Sequence, residues 1–352
     1  MTQTNSKKTT KKSVGKILRS SSRFGGARSH GWHTFSFIDL FAGIGGMRIA
    51  FERMGGQCVF SCEWDEAAQK TYEANFGEIP AGDITKIASN EIPDHDLLLA
   101  GFPCQPFSII GDMNGFSDTR GTLFFDIERI LRDKAPAAFL LENVKQLTTH
   151  DNRRTFSVIL EKLHGLKYHV HWRVLNALDF GVPQKRERVF VVGFKDNVEF
   201  SFPEPFNRKP RLEDILENDD DVDPFYFASD KIRKQRLGRI KIKPPRPSVW
   251  HENKGGNISP LPFSCALRAG ASHNYLLVNG VRRLTSREML RLQGFPDSFK
   301  IVVPYRDIRQ QAGNSVAVPC VAAVAERMLV ALRSAKPATT AVQQLLFAQE
   351  NI

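Results

Sequence analysis

An apolar segment followed by a glycine-rich turn and a helix-like segment constrains the fold of this chain most. Residues 35–40 have the pattern of a buried strand, Phe41-Ala42-Gly43-Ile44-Gly45-Gly46 supplies the turn, and residues 47–53 show helical spacing. This unit is typical of α/β folds in which helices cover both faces of a parallel sheet. We therefore expect a doubly wound α/β domain with a ligand site at the carboxyl ends of its strands.

The glycine turn departs from the dinucleotide-binding pattern, which would place a third glycine where Arg48 stands. This difference disfavours a site that grips the phosphates of NAD. The turn still suits an adenosyl cofactor with a carboxylate and no phosphates, because backbone N–H groups and a helix start approach the ligand. Glu63, twenty residues after Gly43, is expected to accept ribose hydroxyls. Its neighbour Trp64 is expected to stack on adenine rather than act as an ordinary core aromatic.

A single cysteine follows the next strand-like run. Residues 96–100, which are apolar after Asp96, form a short run that ends at Gly101, and a proline on each side of Cys104 holds the chain extended. Another apolar strand, residues 137–141, ends at Glu142. Because the carboxyl ends of parallel strands share one edge of a sheet, we expect the thiol and the carboxyl to be neighbours. That pairing favours catalysis over a glutamate that caps a helix.

Two further segments belong to the predicted site. Residues 105–121 lack a regular pattern and are expected to form a lid or binding loop. Before the predicted strand 189–194, alternation places Arg186 and Arg188 on one face, although such a pair alone is more often a solvated edge. Asp83 is a candidate acceptor for the adenine amino group, although a lone loop aspartate is usually solvated.

The positive charge is concentrated at the N terminus. Residues 1–33 hold eight of the basic side chains and no acidic one, so they supply most of the net charge of +11. Their Ser, Thr, Lys and Gly content predicts a disordered tail, either a solubilising extension or an arm that attracts polyanions. A transit peptide is disfavoured because no convincing amphipathic stripe is present.

Composition also bears on localisation and redox state. No run approaches the roughly 18 apolar residues of a membrane span, and no signal sequence opens the chain, so a cytoplasmic protein is expected. The five cysteines show no metal-type pairing with histidines, which predicts reduced thiols and no metal site.

The composition changes after residue 200. Residues 213–230 hold eight acidic side chains and favour a solvated linker, and residues 231–254 then hold nine basic ones against Glu252. The basic run is too broken for one helix and is able to follow phosphates. We place sequence recognition in residues 230–280. A helix is predicted over residues 286–292, and another begins at Gln311 and runs to about residue 332.

The order of these motifs resembles that of the DNA cytosine-5 methyltransferases, most closely the short bacterial enzymes of type II restriction-modification systems. Eight motifs occur in the family's order: FAGIGG, EWD, GDI, GFPCQPFS, ENV, QKRER, RRLTSREMLRLQGFP and QAGNSVAVP. The resemblance runs over about residues 35–194 and 276–326. It implies a Rossmann-like, S-adenosylmethionine-dependent catalytic domain over 34–200, a target-recognition domain over 201–305 and a helix over 306–335 that returns to the first domain. Residues 336–352 are expected to form a tail.

The resemblance also implies residue roles. Cys104 would attack C6 of a cytosine flipped out of the duplex, Glu142 would hold N3 and the exocyclic amine, and Arg188 would approach O2 while Arg186 supports the catalytic strand and loop. The candidate cofactor residues are Phe41, Ala42, Gly43, Ile44, Gly45, Gly46, Glu63, Trp64, Asp83, Ile84, Leu123, Asn314 and Val316. The candidate DNA contacts are Gln105, Ser108, Arg120, Gln184 and Arg268, of which Ser108 and Arg120 match a family motif.

These features predict methyl transfer from S-adenosylmethionine to C5 of cytosine in double-stranded DNA. We expect a bacterial monomer that protects DNA from a cognate restriction endonuclease. Two alternatives remain at this point. The tRNA-methylating branch of the family is distinguished by comparing duplex DNA with tRNA as substrates, and a non-catalytic DNA-binding module would not need Cys104, Glu142, Arg186 and Arg188 together.

Overall fold

A computed structural model describes residues 35–103, 123–207, 209–241 and 243–334 of the chain. Its strands are β1 (Phe35–Leu40), β2 (Gly56–Cys62), β3 (Leu97–Gly101), β4 (Ala138–Val144), β5 (His169–Asn176), β6 (Gln184–Lys185), β7 (Glu187–Phe194), β8 (Val249–Glu252), β9 (Ile258–Leu261), β10 (Ser264–Cys265) and β11 (Leu276–Val278). Its α-helices are α1 (Gly46–Glu52), α2 (Glu66–Phe76), α3 (Phe124–Lys134), α4 (Arg154–Gly165), α5 (Asp230–Leu237), α6 (Ser286–Leu292), α7 (Tyr305–Asn314) and α8 (Val318–Ser334).

A six-stranded sheet organises the fold, in the order β2-β1-β3-β4-β7-β5. Strands β1 to β4 pair in parallel, whereas β7 runs antiparallel to both of its neighbours. The α/β prediction is confirmed, with a mixed sheet. In the parallel register Gly101 lies opposite Glu142, which stands near the carboxyl end of β4, as predicted. The strand that leads to Cys104 and the strand that carries Glu142 are therefore direct neighbours.

Helices cover both faces of this sheet. Side chains alternate between the two faces, so Leu99 and Leu140 pack in one hydrophobic cluster with α1 and α8. Leu98 and Phe139 pack in a second cluster with α3 and α4. Residues buried on both faces explain why these strands are almost continuously apolar in sequence.

The C-terminal helices differ from the prediction of one helix that starts at Gln311. Helix α7 ends at Asn314, Ser315 adopts extended backbone (φ −68°, ψ 162°), and α8 begins at Val318. Pro319 is tolerated in the first turn of α8, where its missing N–H costs no helical hydrogen bond. The stretch Tyr305–Ser334 has the length and hydropathy of a membrane-spanning helix, but 67% of its apolar window is buried in the fold. Helix α8 packs against α1 as a core helix.

The later part of the described chain contains short elements. Strands β11, β8 and β9 form an antiparallel sheet, and β10 pairs in parallel with β6. Residues 213–230, the acidic segment that was expected to be a solvated linker, are partly anchored to the fold by hydrogen bonds. Asp219 accepts a 2.5 Å hydrogen bond from buried Arg282, and Glu217 accepts one of 2.6 Å from Thr285. The Asp219 carboxylate and the Glu217 carbonyl, which accepts from Arg282 Nη2 at 3.1 Å, supply partners that a buried guanidinium requires.

Candidate active site

A cavity of about 870 Å³ lies at the carboxyl ends of β1 to β4. Its lining includes nine of the predicted cofactor residues, together with Glu142, Arg186, Arg188 and Arg268. Those nine are Phe41, Gly43, Ile44, Glu63, Trp64, Asp83, Ile84, Leu123 and Asn314. The predicted catalytic residue Cys104 and the predicted DNA contacts Gln105, Ser108 and Arg120 lie outside the described residues.

The glycine turn shapes one end of the cavity. A Cβ built on Gly43 (φ +56°) would meet no heavy atom within 4 Å, so this backbone borders open space. A Cβ on Gly45 (φ +81°) would come within 2.3 Å of the Phe76 ring, and one on Gly46 within 2.8 Å of Val316 Cγ2. Gly45, Gly46 and Val316, with Ala42, lie behind the lining and support the turn from the rear.

Glu63 holds the glycine turn in place. Its Oε2 accepts a 2.8 Å hydrogen bond from the Gly43 N–H, and its Oε1 accepts one of 2.9 Å from the Asp65 N–H. Burial raises the pKa of Glu63, and these backbone hydrogen bonds oppose the shift. Adjacent Trp64 is 66% exposed at the cavity wall, so it is not a core aromatic.

Asp83 occupies a turn at the same end of the cavity. Its Oδ1 accepts hydrogen bonds from the Thr85 hydroxyl (2.8 Å) and backbone N–H (3.0 Å). The hydroxyl hydrogen bond is the first cause of a lowered pKa for Asp83. The carboxylate is thereby fixed and charged at neutral pH, with Ile84 buried beside it.

A buried carboxyl and a guanidinium meet at the other end. Glu142 is 8% exposed, and its Oε1 lies 3.0 Å from Arg188 Nε. Burial raises the pKa of Glu142, while the charges of Arg188 and then Arg186 pull it down. A carboxyl next to a guanidinium presents adjacent acceptors and donors, so this end is able to hold the polar edge of a planar base.

Arg186 joins three segments behind that pair. Its Nη1 donates to the Leu267 carbonyl at 3.1 Å, and its Nη2 donates to the carbonyls of Gly313 (3.1 Å) and Ser315 (2.5 Å). Burial, followed by the charge of Arg188, lowers the pKa of Arg186 to about 9. The side chain ties the start of β7 to the segment after β10 and to the α7–α8 junction.

Gln184, predicted to contact DNA, has a different position. It is 0% exposed; its Nε2 donates to the Leu292 carbonyl at 2.8 Å and its Oε1 accepts from the Leu267 N–H at 2.9 Å. A duplex cannot reach a side chain enclosed in this way, so we assign Gln184 a structural role. Arg268 is exposed on the cavity wall, where the prediction of a DNA contact stays open.

Asn143 is a site residue that sequence reasoning left without a role of its own. Its Nδ2 donates to the Phe102 carbonyl at 2.9 Å, and its Oδ1 accepts from the Val144 N–H at 2.8 Å. It therefore fixes the backbone two residues before Cys104 to the strand that carries Glu142. The only sequence signal for Asn143 was its position beside Glu142 in the ENV motif, because a single amide side chain at the end of a strand produces no periodic pattern.

Comparisons with known proteins agree with this geometry. The family described as C-5 cytosine-specific DNA methylase matches residues 35–330. The type II methyltransferase M.NgoBI of Neisseria gonorrhoeae is 63% identical over 289 residues, which are 82% of this chain and 91% of that protein. The type II methyltransferase M.HaeII of Haemophilus aegyptius is 60% identical over 301 residues, 86% of this chain and 95% of that protein.

A solved structure supports the fold independently. The crystal structure of a mutant of Spodoptera frugiperda DNMT2 superposes with a TM-score of 0.66 at 20% identity, covering 84% of this chain and 99% of that one. The sequence match extends over nearly all of the described residues, including both ends of the cavity. The chain therefore belongs to the C-5 cytosine-specific DNA methylase family and is a DNA cytosine-5 methyltransferase.

Proposed function

We propose that this enzyme transfers a methyl group from S-adenosylmethionine to C5 of a cytosine flipped out of duplex DNA, through a covalent bond between Cys104 and C6. The placement of Glu142 carries the proposal. Its buried carboxyl, paired with Arg188, lies opposite Gly101, three residues before Cys104, and faces a cavity bordered by the glycine turn.

The residues of the glycine-turn end fit S-adenosylmethionine. The open space at Gly43 leaves room for a ligand against the backbone. The Glu63 carboxylate has lone pairs left for ribose hydroxyls, and exposed Trp64 offers a ring face for adenine. When bound, S-adenosylmethionine supplies an electrophilic methyl group. The roles of the chain are to bind the adenosine and to keep the methyl donor at the end of the cavity that holds the target base.

The chemistry at the other end concerns the cytosine ring. C5 is too weak a nucleophile to take a methyl group directly, so the Cys104 thiolate first forms a bond to C6. The displaced electron pair moves into the ring, where a proton placed at N3 by Glu142 balances it. C5 of the resulting enamine would accept the methyl group, and S-adenosylhomocysteine would be the leaving product. Loss of the C5 proton to a base, return of the N3 proton to Glu142 and elimination of the Cys104 thiolate would then restore the aromatic ring.

The remaining organisation follows from this reaction. A base in a duplex does not present C6 to a thiol, so the target is flipped at a cost of a few kcal/mol. We propose catalysis by residues 34–200, target recognition by residues 201–305 and a return of residues 306–335 to the first part. We also propose a cytoplasmic monomer whose methylation protects DNA from a cognate restriction endonuclease.

The test uses duplex DNA that contains 5-fluorocytosine in place of cytosine. With S-adenosylmethionine present, the wild type is expected to form an adduct that survives denaturation, because fluorine blocks loss from C5. The Cys104→Ser variant is expected to form none while it binds S-adenosylmethionine as the wild type does. Failure of the wild type to form an adduct on genomic duplex DNA in which 5-fluorocytosine replaces cytosine, or methyl incorporation into tRNA but not into DNA, would overturn the proposal.

A further inference from the structure

Five basic side chains converge beside the catalytic cavity. The arginine-aromatic surface consists first of Arg268, Arg283 and Arg309 with the rings that they contact, Phe225, Tyr275 and Tyr305. It also includes His273, whose ring centroid lies 6.3 Å from that of Tyr305, and Arg306, which follows Tyr305 on α7. Arg268, Arg306 and His273 are exposed, and Phe225 is an exposed aromatic.

Aromatic rings position these guanidinium groups. Arg283 lies 4.5 Å from the centroid of Phe225 and 5.6 Å from that of Tyr305, and Arg268 lies 4.9 Å from that of Tyr275. Arg309 donates a 2.7 Å hydrogen bond to the Ala271 carbonyl. Rings and carbonyls orient a guanidinium but do not neutralise its charge. The surface is therefore both ordered and positive.

Carboxylates do not neutralise it either. In the described part of the chain, no carboxylate oxygen lies within 4 Å of the guanidinium groups of Arg268, Arg283, Arg306 or Arg309. The charges of Arg309, Arg283 and Arg306 add to burial in lowering the pKa of His273. The three guanidinium groups therefore lie close enough to His273 for their charges to disfavour its protonation.

The basic run of residues 231–254 is different. There Arg236 pairs with Glu252 at 2.8 Å, Arg239 pairs with the same carboxylate at 3.2 Å, and Arg233 pairs with Asp230. The sequence pointed to this run as the phosphate-following segment. Three of its nine cations pair with two carboxylates, so part of its charge is compensated within the fold.

The arginine-aromatic surface adjoins the catalytic cavity. Leu267 and Arg268 line both the cavity and the groove that contains His273, Arg283 and Arg309. When a cytosine of a DNA strand enters the cavity, the DNA backbone next to that cytosine must pass the cavity edge. Uncompensated guanidinium groups at that edge are matched to phosphate, which Arg recognises through several N–H donors.

We propose that the arginine-aromatic surface binds backbone phosphates of the DNA strand next to the flipped cytosine. The inference rests on the proposed function and adds a sequence-independent contact, with Arg306 on α7 as a residue that no motif indicated. Phosphate contacts position a duplex without reading its sequence. The surface therefore contributes DNA affinity, and base recognition falls to other residues of the segment 201–305.

The experiment measures binding to a fluorescent duplex of mixed sequence over a range of salt concentrations. Each lost phosphate contact is expected to lower the salt slope of log affinity by about 1. Arg306→Gln and Arg268→Gln are expected to show this change singly and about twice that change together. Arg306→Lys should retain most of the slope. Arg173→Gln is the matched control, since it also removes one exposed guanidinium. Arg173 lies on the edge strand β5 and pairs with Glu204 at 3.2 Å.

The outcomes separate this inference from the proposed function. If the wild type forms the 5-fluorocytosine adduct but the variants keep the wild-type salt slope, the surface does not bind phosphate. If the variants weaken only one duplex sequence, they have lost a base contact, and the inference is also wrong. A wild type that forms no adduct contradicts the proposed function instead, whatever the slopes.

Discussion

Arg188 Nε lies 3.0 Å from Glu142 Oε1 at the cavity wall, where the carboxyl is buried. Burial of the carboxyl and the neighbouring positive charges act in opposite directions on its pKa, and burial is the larger cause. Glu142 is therefore easier to protonate than an ordinary glutamate, yet it has a partner when it is ionised. A carboxyl in this balance is suited to share a proton with N3 of a cytosine.

Replacement of Glu142 by Gln should separate binding from chemistry. The amide keeps the shape but cannot give up a proton to N3, so we expect kcat to fall by about 10²–10⁴. The dissociation constant for S-adenosylmethionine should stay near the wild-type value, because Glu63 is at the other end of the cavity. Single-turnover methylation and equilibrium cofactor binding measure the two quantities. An unchanged kcat would remove Glu142 from the reaction.

Asn143 should act as a positioning residue. Asn143→Ala loses both hydrogen bonds and Asn143→Asp loses only the donor to the Phe102 carbonyl, so both are expected to slow adduct formation with the 5-fluorocytosine duplex. A lost buried hydrogen bond costs about 1–3 kcal/mol, which corresponds to roughly 5- to 150-fold. KM for S-adenosylmethionine should change little. Both variants should also lose some stability, because Asn143 is buried, and a positioning role predicts that the adduct rate falls by more than the loss of stability explains. Equal losses in adduct rate and in stability would indicate a merely structural role.

The sequence predicted the strands of the six-stranded sheet well because two signals coincide there. Strands buried on both faces, such as β3, are short apolar runs, and glycine turns and prolines mark their ends. The helix predicted over residues 286–292 is observed with the same bounds because its capping box, Thr285 with Glu288, is local in sequence. Motif order then supplied the cavity residues, which periodicity alone does not identify.

Contacts between residues far apart in the chain could not be predicted from the sequence. Gln184 and Arg186 stand two residues apart in one motif, and their partners are carbonyls more than 80 residues away in sequence. No local pattern indicates that one of them is enclosed. The break between α7 and α8, residues 315–317, was also missed, although Gly313 and Pro319 lie on either side of it.

Glu288 should be important for stability. It is buried, it accepts two 2.9 Å hydrogen bonds from Arg282, and it also accepts from the N–H groups of Thr285 and Glu217. Glu288→Ala leaves a buried guanidinium without its main partner, so we expect a loss of about 3–5 kcal/mol in the free energy of unfolding.

The control for Glu288 is an exposed ion pair. Glu204 pairs with Arg173 at 3.2 Å, and both side chains are exposed to solvent. Glu204→Ala should change the free energy of unfolding by no more than about 1 kcal/mol. Urea denaturation of both variants supplies the comparison. Similar losses in the two variants would contradict the assigned importance of the buried pair.

Asp39 should make stability depend on pH. It is buried on β1, its Oδ2 has no hydrogen-bond partner among the described residues, and burial raises its pKa from 3.8 to about 7. The folded state therefore holds a proton that the unfolded state releases between these two pH values. The stabilising contribution is complete below the unfolded pKa, decreases as the pH rises and is lost above about pH 7.

Asp39→Asn keeps a neutral side chain, so the wild type should lose roughly 2–4 kcal/mol relative to this variant between about pH 4 and pH 8. Parallel stability curves for the two proteins over that range would show that Asp39 is ionised in the folded protein.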